Sequence, residues 1–206
     1  MSTVAIPIKG GVLHGEFSNE AQAKGIVIFA HGSGSSRHSP RNRMIAKVLE
    51  EAGFRTLLFD LLTEEEENRE KGGEFRFNID LLSKRLSAVI DWARQQSSLP
   101  IGLFGASTGA AAALKASVHS PIFAIVSRGG RPDLATDALA QVKAPTLLIV
   151  GGEDLPVIEM NQSAQKSMTA LVKLCIVEGA SHLFEEKVKL EKVAALAKEW
   201  FLQHVP

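Results

Sequence analysis

Six short apolar runs dominate the chain: "GIVIFA" from residue 25, "RTLLFD" from 55, "IGLF" from 101, "FAIVS" from 123, "TLLIVG" from 146 and "LVKLCIV" from 171. The first suits a strand buried on both faces, the second a further buried strand, and the other four read as strands as well. Between them, apolar residues recur at helical spacing. Met44, Ile45, Val48, Leu49 and Ala52 make one such stripe, with Gly53 as its stop. Ile79, Leu82, Leu86, Val89, Ile90 and Ala93 make a second, and an alanine-rich stretch after residue 107 a third. A weaker helix is expected around residues 134–140 and another near 157–168. Val188, Leu190, Val193, Leu196, Ala197 and Trp200 mark the closing helix. Strictly alternating strands and helices imply an α/β architecture: a mostly parallel sheet, right-handed crossovers and helices on both faces. Residues 3–8 and 12–17, split by Lys9-Gly10-Gly11, read as an antiparallel hairpin at one sheet edge.

The chain's 206 residues suit a single domain spanning 1–206 with a sizeable core. Lys plus Arg and Asp plus Glu are 23 each, so neither nucleic acid nor an anionic membrane is expected as a partner. The lone cysteine, Cys175, forms no internal disulfide, which points to a reduced compartment. The start lacks the basic and long apolar regions of a signal peptide, and no apolar run reaches the roughly 20 residues of a membrane span. A soluble, cytoplasmic protein is expected. The acidic run at residues 64–67 reads as a solvated loop.

The third apolar run leads into Gly105-Ala106-Ser107-Thr108-Gly109. Alone, a serine before a helix is as well explained as a cap. At a tight strand-to-helix turn, however, flanking glycines let a serine stand exposed as a nucleophile. Such a hydroxyl needs a base, and the base needs an orienting acid. Asp154 follows the "TLLIVG" run and His182 follows the last strand, so both fall at the sheet end where ligands bind. Asp154 in isolation reads as a helix cap, and His182 as a loop residue. Together with Ser107, they read as a triad. An oxyanion also needs N–H donors. Thr108 supplies one, and the loop "HGSGSS" from His31 a second, through Ser33 or alternatively Gly34. The histidines show no metal-ligand spacing, and neither metal nor cofactor is expected.

With these residues in place, the chain resembles the α/β-hydrolase superfamily, from the "HGSGSS" loop through Ser107 and Asp154 to His182. More narrowly, "FAHGSGSSRHSPRNR", "LLFDLLTEEEE" and "VSRGGRPDLA" resemble the small, lidless dienelactone-hydrolase-like enzymes. Those carry a cysteine nucleophile, whereas Ser107 stands here and Cys175 lies within a strand. The resemblance therefore implies a serine esterase acting on small or soluble esters. Residues 128–145 leave little room for a lid. Two other readings stay open: a non-catalytic ligand-binding module on the same fold, and an acyltransferase, thioesterase or lactonase on the same triad.

Several charged residues also follow strand ends. Arg128 and Arg131 suit a substrate carboxylate, but the favoured reading is an ion pair with Asp133 or a loop anchor. Arg128 is kept as a candidate substrate-binding residue. Arg37, Arg41 and Arg43 receive the same reading, Asp60 reads as a loop tie, and Asp133 is the reserve triad acid.

Overall fold

The structure, a computed structural model, describes residues 1–19 and 22–206. Eight strands form one sheet in the order β1-β2-β4-β3-β5-β6-β7-β8. Strands β1 (Ser2–Ile8) and β2 (Gly11–Phe17) form the expected hairpin, and β2 pairs antiparallel with β4 (Arg55–Phe59). From there on, β3 (Ile26–Ala30), β5 (Ile101–Ala106), β6 (Ile125–Arg128), β7 (Thr146–Gly151) and β8 (Val172–Val177) run parallel. The central strands β3, β5, β6 and β7 are buried throughout, as their unbroken apolar runs require.

Alternation along each strand divides the core in two. Val27 and Phe29 of β3 and Phe104 of β5 face α1 (Pro40–Glu51) and α6 (Lys189–His204). Phe29 and Phe104 stack there with ring centroids 4.9 Å apart. Ile26, Ile28 and Leu103 face the opposite way, toward α3 (Ile79–Gln96) and α4 (Thr108–Ser117). Fully burying one such side chain contributes about 2 kcal/mol. Helix α5 (Leu155–Ser167) joins that second face through Ala164.

Two expectations need correction. The acidic run is a helix, α2 (Glu64–Arg69), rather than a loop. Thr63 Oγ1 accepts from the Glu66 N–H, and the Glu66 carboxylate accepts from the Thr63 N–H. Glu66 then pairs with Arg85 and Glu67 with Arg76, both at 2.6 Å. The helix expected around residues 134–140 is instead two short 3₁₀ turns, Pro132–Ala135 and Leu139–Gln141. Pro132 starts the first turn, and Arg131 ties Asp133 beside it, so the backbone tightens without propagating. No lid is inserted in this stretch, and no helix among the described residues is long and apolar enough to cross a membrane.

Candidate active site

Ser107 sits between β5 and α4 with φ 50° and ψ −119°, a conformation rare for a residue with a side chain. The reason lies in its neighbours. A Cβ at Gly105 would collide with the Ala110 backbone, and one at Gly109 with the carbonyl oxygens of Ala30 and His31. Strand and helix therefore approach more closely than any larger residue allows, and the turn absorbs the strain at Ser107. Three backbone bonds pin it: the Ser107 N–H donates to Arg128 O at 3.1 Å, and Ser107 O accepts from the Ala110 N–H at 3.1 Å and the Arg131 N–H at 3.2 Å. Its hydroxyl does not cap α4, so the capping explanation of this serine fails.

Asp154 precedes α5 and likewise makes no side-chain cap. Its Oδ2 instead lies 2.5 Å from His182 Nδ1. A carboxylate only accepts, so Nδ1 carries the proton and donates, leaving Nε2 as the imidazole's free lone pair. The Asp154 side chain is 15% exposed and that of His182 38%, so the acid is sheltered while the imidazole faces outward. The turn before His182 fits tightly over Gly151, where a Cβ would meet the carbonyl oxygens of Ala180 and Ser181.

The backbone brings His182 to Ser107 by way of β6. Ser107 is bonded to Arg128, and a Cβ on the adjacent Gly129 would lie 3.4 Å from His182 Cε1. Among the described residues, no hydrogen bond joins the Ser107 hydroxyl to the imidazole. Such bonds are often long before substrate arrives.

The loop after β3 stands across from the serine: a Cβ at Gly32 would lie 3.1 Å from Ser107 Cβ. Ser33 N–H, an expected oxyanion donor, donates to Thr108 Oγ1 at 2.9 Å. The Ser33 N–H thus already has a partner in Thr108. Thr108 itself is the first residue of α4, where backbone N–H groups favour negative charge.

His31 was visible in the sequence only as part of the glycine-rich loop. Its Nε2 accepts from the Leu61 N–H at 3.1 Å, so Nδ1 carries the proton and donates to Gly32 O at 2.9 Å. Burial pushes its pKa down, which keeps this internal tie neutral. A buried histidine in a glycine loop carries no distinguishing local pattern, so only the fold reveals this role.

The arginines separate. Arg131 pairs with Asp133 at 2.7 Å, as expected, and this engages the reserve acid away from His182. Arg37 pairs with Asp60, which also accepts the Arg37 N–H at 2.7 Å; Asp60 thus ties the loop before α1. Arg43 pairs with Glu16 at 2.6 Å and Arg41 with Glu185 at 2.8 Å. Arg128 departs from the ion-pair reading. It is only 7% exposed, and its Nη1 is buried with no hydrogen-bond partner among the described residues.

A family model described as an alpha/beta hydrolase domain matches residues 23–200. The fold is similar to that of a dienelactone hydrolase from Anabaena variabilis, with TM-score 0.97 and 50% identity, covering 100% of this chain and 98% of that one. A serine hydrolase without a lid from Xanthomonas campestris shares the fold at TM-score 0.82 and 21% identity, covering 100% and 95% of the two chains. A curated Mycobacterium tuberculosis protein, named as a candidate phosphoribosyl transferase, is 55% identical over 196 residues. The match takes in 93% of this chain but 44% of that protein, so the chain spans less than half the length of this relative. By the family match across most of its length and the likeness to the Anabaena enzyme, the chain belongs to the α/β-hydrolase family.

Proposed function

We propose that the chain is a serine hydrolase that cleaves small carboxylic esters through an acyl-enzyme on Ser107. The observation that carries this reading is the 2.5 Å Asp154–His182 pair beside a strained serine whose hydroxyl caps nothing. Nε2 of His182 takes the proton from Ser107 Oγ as the oxygen attacks the ester carbonyl. The Thr108 and Ser33 N–H groups receive the developing oxyanion. The imidazolium, held and stabilised by Asp154, then gives its proton to the leaving alcohol. Water, deprotonated by the same imidazole, cleaves the acyl-enzyme and releases the acid.

The transferase name of the mycobacterial relative does not argue for phosphoribosyl transfer by this chain, because more than half of that protein lies outside the match. Ser107→Ala tests the reading directly. Turnover of p-nitrophenyl acetate should fall to background, and a fluorophosphonate should label the wild type at Ser107 alone. Wild-type turnover in the variant, or labelling at another residue, overturns the assignment.

A further inference from the structure

Arg128 ends β6, and strand alternation sends its side chain to the same sheet face as Val126, which is packed with α1 and α6. Ala180 and Phe184, which flank His182, pack on that face too. Its main chain is already part of the site, since Arg128 O accepts the Ser107 N–H and Gly129 lies against the His182 ring. The guanidinium is almost wholly buried, and among the described residues no carboxylate pairs with it. Its charged neighbour is Arg41, in the first turn of α1, whose own Nη1 is held by Glu185 at 2.8 Å. Burial, and then Arg41, push the Arg128 pKa down to about 10, so it remains a cation at neutral pH.

A buried, unpaired cation beside a second cation destabilises the fold that contains it. Arg131, three residues on, shows the alternative: it is paired, more exposed and structural. We propose that Arg128, with Arg41 beside it, is a binding site for an anionic oxygen group on the substrate, a carboxylate or a phosphate, held next to the ester that Ser107 attacks. The site deepens the esterase reading and rests on it for what is cleaved, though not for the binding of the anion. Five N–H donors in a planar fork suit either group, and one unbonded donor is already buried in position.

Two measurements test the proposal, so that its failure and the failure of the esterase reading stay distinct. The first is thermal melting of wild type, Arg128→Met and Arg128→Lys with sodium glutarate or inorganic phosphate, against sodium chloride at equal ionic strength. The wild type should gain stability with at least one anion, and which one identifies the group. The response should be lost in Arg128→Met and weakened in Arg128→Lys. Without added anion, Arg128→Met should melt no lower than wild type, because it removes an uncompensated charge. A wild type indifferent to both anions, or an Arg128→Met protein that melts well below wild type, overturns the proposal. If Arg128→Met does not fold, it is likewise overturned, since the side chain is then structural.

The second measurement is kcat/KM for mono-p-nitrophenyl glutarate relative to p-nitrophenyl butyrate. The ratio should fall roughly 10- to 100-fold in Arg128→Met, the range of a hydrogen bond to a charged group. An unchanged ratio, with phosphate also without effect on melting, overturns the proposal. If the wild type cleaves neither ester, the esterase reading fails while the melting comparison still decides the anion site.

Discussion

At Ser107 the chain accepts a backbone conformation that costs about 1–3 kcal/mol. The strain is held because Gly105 and Gly109 let β5 and α4 close on it from both sides. Asp154 makes the opposite trade. It gives up the cap it stands ready to provide for α5 and spends its carboxylate on His182. That exchange leads to a sharp expectation for Asp154→Asn. Asparagine keeps the size but presents either a donor or an acceptor to Nδ1, so the imidazole is no longer held in one tautomer. On the proposed mechanism, kcat with p-nitrophenyl acetate should drop roughly 10³- to 10⁴-fold with little change in melting temperature. A loss below tenfold would remove Asp154 from the mechanism.

Among the elements, α2 shows how a segment without a buried side chain is held in place. Its capping box and the Glu66–Arg85 and Glu67–Arg76 pairs stand in for a core. Thr63→Ala should therefore cost about 1 kcal/mol of stability by denaturant unfolding. An unchanged midpoint would show that the ion pairs suffice. The same helix marks what was hard to see in the sequence. The strands of the parallel part were legible as short apolar runs, unbroken in β3, β5, β6 and β7, where both faces are buried, and interrupted by Lys173 in β8, the half-exposed edge strand. An isolated polar helix has no such run; its one local signal is the Thr63-x-x-Glu66 capping pattern, and the pairing partners Arg85 and Arg76 lie elsewhere in the chain. The 3₁₀ turns misled for the reverse reason, since Leu134 and Leu139 supply apolar residues without a helix to carry them. At the site, Ser107, Asp154 and His182 were legible from their order on strand ends. The burial of Arg128 was not, because a guanidinium's solvent exposure depends on α1 and the His182 loop rather than on its neighbours in the chain.

At the scale of the molecule, the internal tie made by His31 couples the site to global stability. Burial lowers its pKa in the folded protein, so the unfolded chain takes up that proton first. Its stabilising contribution is complete above the ordinary histidine value of about 6.5 and is lost as pH falls below it toward the lowered folded value. Wild type should therefore lose more melting temperature between pH 7.5 and 5.5 than His31→Gln does; equal losses would clear His31 of this role. The strand order has a further consequence, concerning time. Ser107 follows β5 at the middle of the sheet, Asp154 follows β7, and His182 follows β8 at its edge. On the proposed mechanism, a ribosome making this chain delivers the nucleophile before the base. Until β8 docks against β7, a nascent chain holds a strained serine with nothing to deprotonate it. On the proposed mechanism, the cell is spared a half-built hydrolase, because completing the sheet and switching on the chemistry are the same event.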